Sequence, residues 1–273
     1  MCNKPNCNHY EVPRGFNVKA SRTDGLITNV TPKLITPVSR NIVRAEFQTE
    51  NLAEAQGERE SLDLSWFPYA AERYCISKDL DNDYIFVTVP ICPADLPNRN
   101  GISFPRAELL KFRGPPVGRI TYKAWAGQPV HYNHKADDDT KAYGVILDTM
   151  IREDKYGILH VYGLLAIDCT KYVDVAEKVR TGQINTYSMG ALIDYFLCSV
   201  CNAPLTFDPK NPKNSGWGTC SHIEHIEKIN WKVVPVGGGR YTVAHLKGYG
   251  ISPVETSIVP IPAWSTALSD IVM

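Results

Sequence analysis

Short apolar segments separated by polar turns follow one another along the chain from about residue 83 onward, and two of them, 119–125 and 184–189, alternate apolar and polar residues, a pattern that is typical of β-strands. The segment 84–89 (Y-I-F-V-T-V) is rich in β-branched and aromatic residues, which favour a buried strand. The segments 143–150 and 158–167 are joined by a polar turn, and their spacing predicts an antiparallel hairpin. The predicted strands are 84–89, 119–125, 143–150, 158–167, 182–191 and 253–262. This pattern indicates a mainly β fold of the α+β class.

One helix is predicted between the hairpin and the strand at 182–191. Thr170 suits its N-cap, the helix runs through Arg180, and Gly182 suits its stop. The first 80 residues differ in composition, because residues 1–60 are polar and interrupted by prolines, with almost no apolar helix face. We therefore predict an irregular N-terminal arm or linker over residues 1–80 and one domain over residues 81–273.

Charge and hydropathy exclude several classes of protein. The 29 basic and 29 acidic residues balance, so no basic excess indicates nucleic-acid binding. The longest apolar runs are too short for a membrane span, and the N-terminus lacks the apolar core of a secretory signal. We therefore expect the protein to stay in a reducing cytosol, where its eight cysteines are not expected to form a disulfide framework.

Three of these cysteines and a histidine form a metal-ligand pattern. Cys198, Cys201, Cys220 and His222 give C-x2-C-x18-C-x-H, a tetrahedral ligand set that suits zinc. His225 competes with His222 as the fourth ligand. The surrounding segment, residues 198–250, is rich in turn residues, and a metal could supply the folding energy that it lacks. We predict a zinc-binding insert with a structural role, because four protein ligands leave no open position.

Two further clusters are metal candidates. Cys2 and Cys7 with His9 could form a site at the N-terminus. His131 and His134 precede an acidic loop, but catalytic zinc sites usually place two histidines four residues apart on a helix, and this segment has no helix pattern. A histidine can also act as the general base for a serine, and a third group must then fix the imidazole.

Ser188 is the candidate for that serine. Gly190 lies two residues further along the same predicted strand, where the backbone can approach a ligand closely. The spacing along the chain does not choose the third group. The candidates at strand ends are Glu255, Asp168 and Asp148.

The order of several short motifs resembles the head maturation (prohead) proteases of tailed bacteriophages. It runs from about residue 83 to the C-terminus, and the first 80 residues take no part in it. The motifs are, in chain order, G-x-P-V at 127–130, N-H-K at 133–135 before an acidic loop, Y-G-V-I-L-D at 143–148, A-E-K-V-R-T-G at 176–182, Y-S-M-G at 187–190, C-S-V-C at 198–201 and T-C-S-H-I at 219–223 of the insert, and E-T-S-I-V at 255–259. The insert is similar to that of one branch of the family, which often has Gly where this chain has Asn202, and a left-handed position tolerates Asn.

The resemblance implies a serine endopeptidase of the herpesvirus-assemblin type, with a closed β-barrel flanked by helices and a small zinc-ribbon-like insert. By position, Ser188 is the nucleophile and His134 the base, and the reaction passes through an acyl-enzyme. Herpesvirus relatives use a second histidine as the third member, and Glu255 stands in the corresponding segment here, which favours it over Asp168. Backbone N–H groups near Gly190 or on a neighbouring loop are expected to receive the oxyanion.

The resemblance also implies the partners and the place of action. The expected substrates are scaffold and capsid proteins inside the assembling prohead, in the cytoplasm of the bacterial host, with self-cleavage, a homo-oligomer and retention in the virion as further expectations. No nucleic acid and no membrane is expected as a partner. The alternative is a catalytically inactive, protease-like minor head or cement protein. A zinc-ribbon nucleic-acid module ranks last, because the chain lacks a basic patch.

Overall fold

The structure is a computed structural model that describes residues 16–18, 33–34, 64–114, 118–207, 217–218, 220–223, 232–264 and 271–272. Within these ranges the chain is mainly β, as the sequence predicts. The strands are β1 (Phe16–Val18), β2 (Lys33–Leu34), β3 (Tyr84–Pro93), β4 (Ile102–Ser103), β5 (Phe112–Arg113), β6 (Arg119–Ile120), β7 (Pro129–Tyr132), β8 (Gly144–Glu153), β9 (Leu159–Asp168), β10 (Tyr187–Ile193), β11 (Tyr195–Cys198), β12 (Thr206–Phe207), β13 (Trp217–Gly218), β14 (Val233–Gly237), β15 (Arg240–Val243), β16 (Leu246–Tyr249), β17 (Ser252–Ile258) and β18 (Ile271–Val272). The α-helices are α1 (Phe67–Tyr74), α2 (Arg106–Leu109) and α3 (Val173–Arg180), and 3₁₀ helices span Thr121–Trp125 and Asp139–Lys141.

Within the described ranges, nine strands form the main sheet, in the order β1-β10-β17-β7-β8-β9-β3-β18-β2, and the sheet curls into a half-barrel. Neighbouring strands are antiparallel except β7 with β17 and β2 with β18. The end strands β1 and β2 do not pair with each other within the described ranges. Closure of the predicted barrel therefore stays a prediction.

The predicted hairpin is confirmed as β8 and β9, which pair from Gly144 with Ile167 to Glu153 with Leu159. Alternate residues of a strand point to opposite faces, so the hairpin contributes to two apolar clusters. Ile146 and Leu165 join the larger cluster inside the half-barrel, whereas neighbouring apolar residues of the same strands pack with α1 on the other face.

Helix α1 corrects the predicted boundary of the N-terminal arm. Residues 64–80 belong to the folded domain, because Phe67, Ala71 and Tyr74 form an apolar stripe that is buried in the second cluster. The short helix also carries charged and exposed residues, so its apolar pattern in the sequence is weak. Residues 35–63, which include the acidic stretch of the predicted arm, lie outside the described residues.

Three other element predictions need correction. The predicted strand 119–125 is only the two-residue β6 followed by a 3₁₀ helix, which turns Trp125 into the core. Thr170 is not the N-cap of α3, since that helix begins at Val173 and the Thr170 hydroxyl donates to Asp168 Oδ1 at 2.7 Å. The helix does end at Arg180, and Gly182, two residues later, has a left-handed φ of 72°, as a glycine stop requires. Ser188 lies near the end of the predicted strand 182–191, but it is the second residue of β10 and thus lies near the start of the observed strand.

The predicted insert, residues 198–250, contains short ladders, of which β12 pairs with β13 and β14 with β15. Its last strand, β16, pairs with β11 and β4, and Leu246 in β16 is buried in the larger cluster. The insert is thus joined to the domain at both of its ends.

Candidate active site and metal centre

Ser188 lies on a face that three adjacent strands share. Across the ladder it is opposite Ser257 of β17, and Ser257 is in turn opposite His131 of β7. Residues opposite each other in a ladder point to the same face of the sheet, so the three side chains form a row. All three are buried, and Ser188 is only 2% exposed.

His134 reaches this face through a turn directly after β7. Asn133 and His134 have φ of 53° and 56°, in the left-handed region that residues other than glycine rarely adopt. Two backbone N–H groups fasten the turn to β17. Asn133 N donates to the backbone oxygen of Ile258 at 2.9 Å, and His134 N donates to the side-chain hydroxyl of Ser257 at 3.1 Å. Such conformations cost about 1–3 kcal/mol each and are concentrated at functional sites.

Glu255 fixes the imidazole of His134. Its Oε1 lies 2.5 Å from His134 Nδ1, and its Oε2 accepts a hydrogen bond of 2.5 Å from Ser257 Oγ. Both carboxylate oxygens therefore have partners, as a buried carboxylate requires. Because Nδ1 faces Glu255, the other ring nitrogen, Nε2, is the one available for chemistry.

Ser257 is a residue of this site that was not predicted from the sequence. Its hydroxyl accepts from the backbone of His134 and donates to Glu255, so it ties the histidine turn to the carboxylate. The sequence E-T-S at 255–257 does indicate it, because residues two apart on a strand point to the same face. With Glu255 predicted at the site, this spacing places the Ser257 side chain on the same face.

The other two carboxylates considered as the third group are engaged elsewhere. Asp168 accepts hydrogen bonds from Ser77 N, Thr170 N, Thr170 Oγ1 and Lys171 N at 2.7–3.0 Å, which fix the segment before α3. Asp148 pairs with Lys123 Nζ at 3.0 Å. Of the three candidates, Glu255 is the one that contacts the His134 ring.

Gly190 makes room for this carboxylate. It is opposite Glu255 in the ladder, and a Cβ at this position would lie 2.7 Å from Glu255 Oε1 and 2.8 Å from its Cγ. Only glycine leaves space for the glutamate to reach His134. This packing role is independent of the expected oxyanion role of the neighbouring backbone.

Replacing Gly190 with Ala is expected to displace Glu255 from His134. If the site cleaves peptides, kcat/KM should then fall by about 10²-fold, the usual effect of a 1 Å misplacement in an active site. Gly163→Ala is the matched control, because its Cβ would lie 2.8 Å from Ile91 Cδ1 in the core, far along the sheet from Glu255. Both variants are expected to lose stability, but only G190A should lose activity per folded molecule. Equal activity of the two folded variants would contradict the packing role.

Two polar atoms at the centre of the site have no hydrogen-bond partner among the described residues. Within the described residues, neither Ser188 Oγ nor His134 Nε2 makes a hydrogen bond, although both atoms are buried. The two side chains therefore do not form the nucleophile–base hydrogen bond in this structure. An unpaired buried polar group costs about 1–3 kcal/mol, and catalytic hydrogen bonds often form only in the complex with substrate.

His131 lies on the same face of the sheet as Ser188 and Ser257, but within the described residues its ring makes no hydrogen bond. Both of its ring nitrogens are buried and lack a partner among the residues described, and burial lowers its pKa, against an opposing effect of Glu255. His131 and His134 belong to no metal-ligand cluster in the described part of the chain. The hypothesis of a metal site in H-x-x-H is therefore not supported there.

The Cys/His cluster of the insert is assembled as the sequence predicts. One ligand atom from each of Cys198, Cys201, Cys220 and His222 lies within 4.8 Å of every other. The Cys201 and Cys220 sulfurs are 3.4 Å apart, and His222 Nδ1 is 3.5 Å from Cys220 Sγ and 3.9 Å from Cys198 Sγ. Zn–S bonds of about 2.3 Å in a tetrahedron put sulfurs about 3.8 Å apart, so the cluster could hold a metal ion. His225 and the trio Cys2, Cys7 and His9 lie outside the described residues.

The backbone around Cys198 supports such a site. Val200 N donates a hydrogen bond of 3.4 Å to Cys198 Sγ, the candidate sulfur ligand. Asn202 N donates to Cys198 O at 3.0 Å. Asn202 has φ of 59°, the left-handed conformation expected where this residue replaces glycine. Burial raises the pKa of the Cys198 thiol to about 11, so a bound metal would have to displace its proton.

Within the ranges the structure describes, no helix is long and apolar enough to cross a membrane. Protein-family models, curated proteins and solved structures were all compared with the chain, and none of them matches it.

Proposed function

We propose that the protein is a serine endopeptidase, with Ser188 as the nucleophile, His134 as the general base and Glu255 as the group that orients the imidazole. One observation carries the proposal. The ring of His134 is held at 2.5 Å by a buried carboxylate, on the sheet face that carries Ser188. Acyl transfer requires a serine nucleophile, a histidine base and a group that orients the imidazole, and these three residues supply that set.

The proposed reaction proceeds in two steps. His134 Nε2 takes the Ser188 proton while Oγ attacks the carbonyl carbon of a peptide, and Glu255 stabilises the imidazolium. The proton then passes to the leaving amine, and water releases the acyl group by the same route. Backbone N–H groups near Gly190 or on a neighbouring loop receive the oxyanion, at about 3 kcal/mol per donor. Since Ser188 Oγ and His134 Nε2 have no competing partner among the described residues, neither must break a hydrogen bond when the two meet.

We further propose that this enzyme acts in the maturation of a phage head, as the prohead proteases do. Its substrates are then scaffold and capsid proteins, its place is the prohead inside the bacterial cytoplasm, and its half-barrel is part of an assemblin-like barrel. This proposal rests on the order of motifs, from N-H-K at 133–135 to E-T-S-I-V at 255–259. Self-cleavage and self-association belong to the same proposal.

The Cys/His cluster is proposed to bind zinc in a structural role. Cys198, Cys201, Cys220 and His222 would fill the four positions of a tetrahedral ion and leave none for substrate. Cys198 ends β11, which follows β10 after a single residue. The metal would brace the end of the strand that carries Ser188.

The test is a comparison of wild type with Ser188→Ala on a scaffold protein and on a generic unfolded protein. The variant is expected to lose at least about 10⁴-fold in cleavage rate. Ser103→Ala is the matched control, because Ser103 is also a buried serine with an unpaired Oγ but lies in β4, outside the main sheet. Cleavage by S188A at the wild-type rate would rule out the mechanism.

A second candidate function is a protease-like structural protein of the phage head without chemistry. One observation favours it, namely that Ser188 is 2% exposed and is not hydrogen-bonded to His134. It predicts that wild type and S188A are equally inactive and that both are incorporated into heads.

A further inference from the structure

Among the described histidines, His131 is the one whose ring has no hydrogen-bond partner in the described part of the chain. The rings of His134, His160 and His245 each face an oxygen, and the ring of His222 faces the sulfurs of the cysteine cluster. His131 is also buried, with 1% of the residue exposed. An unpaired buried polar atom costs about 1–3 kcal/mol, and this ring has two such atoms. Since buried polar groups are normally paired, its partner is a small molecule and not a side chain.

His131 lies at the end of the row that begins with Ser188. Ser257 stands between them and is opposite each of them in a ladder, so the backbones of Ser188 and His131 are two strand spacings, or about 10 Å, apart. The hydroxyl of Ser257 is already engaged, because it donates to Glu255 and accepts from the backbone N–H of His134. The His131 ring therefore lies beside the proposed triad without taking part in its hydrogen bonds.

The unpaired atoms on this face suit a water molecule. Ser188 Oγ, His134 Nε2 and both ring nitrogens of His131 are buried and lack a partner within the described ranges. A buried water makes about two to four hydrogen bonds to atoms of this kind. Each hydrogen bond spans about 3 Å. An imidazole, one water and an acyl group on the serine are together long enough to bridge two strand spacings.

The charges around His131 keep its ring neutral. Burial lowers the pKa of His131, and Lys171 acts in the same direction. Three carboxylates oppose this effect without reversing it, namely those of Glu255, Asp139 and Asp137. A neutral imidazole has one N–H donor and one acceptor nitrogen, so it can fix both the position and the orientation of a water. A neutral ring also leaves the charge of the buried glutamate to the proposed base.

We propose that His131 positions the water molecule that hydrolyses the acyl-enzyme on Ser188. The inference rests on the proposed function, since it assigns a residue to the second step of that reaction. The water oxygen forms a bond to the carbonyl carbon of the ester while His134 Nε2 takes one of the water protons. The bond from this carbon to Ser188 Oγ then breaks, Oγ recovers that proton from His134, and the acid product leaves. His131 hydrogen-bonds to the water throughout and exchanges no proton.

The experiment separates the two steps with p-nitrophenyl acetate, which acylates an activated serine and releases coloured p-nitrophenolate. The full-length wild type is expected to release about one p-nitrophenolate per chain in a burst and then to turn over slowly. His131→Leu should keep the rate and the size of the burst and lose about 10²-fold in the steady rate, the usual effect of misplacing a reacting group. The acetyl group should then accumulate on Ser188, as peptide mass mapping shows, and added hydroxylamine, a stronger nucleophile than water, should release it.

Two further variants make the result specific to the water. His131→Gln keeps a donor and an acceptor, so its burst should be unchanged and its steady rate should lie between that of wild type and about tenfold below it, the worth of one hydrogen bond. His160→Leu is the matched control, because it also removes a ring, one that contacts Asp154, but lies in β9 outside the row. Its burst and its steady rate should both equal those of wild type.

The outcomes separate this inference from the proposed function. If Ser188 is acylated but H131L slows the burst as much as the steady rate, or changes neither, the inference is wrong and the peptidase assignment stands. The same conclusion follows if H131Q loses as much steady rate as H131L. If H131L does not fold, H131Q decides alone, and a slower steady rate with an unchanged burst supports the inference, whereas any other result overturns it. If wild type shows no burst and Ser188 carries no acetyl group, the proposed function is wrong, and the inference falls with it.

Discussion

A Glu255→Gln variant is expected to lose roughly 10⁴-fold in kcat/KM, the usual effect of replacing the carboxylate of a catalytic triad by its amide. The substitution keeps the shape of the side chain but removes the charge that faces His134 Nδ1 at 2.5 Å. The amide nitrogen can donate to Nδ1 and so favour the tautomer that places the proton on Nε2, where the base must be free. We would measure initial rates on a peptide substrate across a range of pH, together with thermal unfolding of the same samples.

Asp168→Asn is the matched control for this prediction. Asp168 is equally buried and accepts hydrogen bonds from Ser77, Thr170 and Lys171, but it does not contact the His134 ring. D168N is expected to lose about 1–3 kcal/mol of unfolding free energy and to keep its kcat/KM per folded molecule. Should D168N lose activity while E255Q keeps it, Asp168 and not Glu255 would be the third member.

Cys201→Ser is expected to reduce bound zinc from about one ion per chain to nearly none after dialysis against a mild chelator. Apparent binding free energies of structural zinc reach about 10–16 kcal/mol in small zinc domains, and much of this energy drives folding. Loss of the ion should therefore expose the segments that carry the ligands. The measurements are metal content by mass spectrometry and amide hydrogen exchange of peptides that cover residues 198–203 and 220–223.

Cys75→Ser provides the control, because Cys75 is an exposed free cysteine outside the cluster. It should keep both the metal and the protection from exchange. If C201S retained a full complement of zinc, or if wild type contained none after growth with zinc, the metal assignment would be contradicted.

Much of the β-structure could be predicted because its pattern is local. The hairpin of β8 and β9 consists of two largely apolar strands of ten residues on either side of a polar turn, and the helix stop at Gly182 follows from a single glycine. The errors arose where tertiary packing decides. Residues 121–125 alternate like a strand, but they form a 3₁₀ helix that buries Trp125. Helix α1 is held by three buried apolar residues, too few to give a clear helical pattern in the sequence.

Most members of the candidate site could be predicted from the sequence, but Ser257 and the geometry could not. Cys198, Cys201, Cys220 and His222 have a spacing that is typical of metal sites, so the cluster could be predicted from sequence alone. Glu255 lies 121 residues from His134, and no spacing rule relates them. The space that Gly190 leaves for the carboxylate, the Ser257 bridge and the left-handed turn at Asn133 all depend on the pairing of β10, β17 and β7, which sequence periodicity does not specify.

The most direct test of the central claim is covalent labelling of the full-length protein with an alkyl fluorophosphonate, followed by peptide mass mapping. Such reagents react with a serine only when a base activates it. If Ser188 is the activated nucleophile, one adduct per chain is expected, on the peptide that carries Ser188, and the adduct is expected to be lost in Ser188→Ala and in His134→Ala. No adduct on Ser188, or adducts spread over exposed serines at equal rates in wild type and H134A, would contradict this claim.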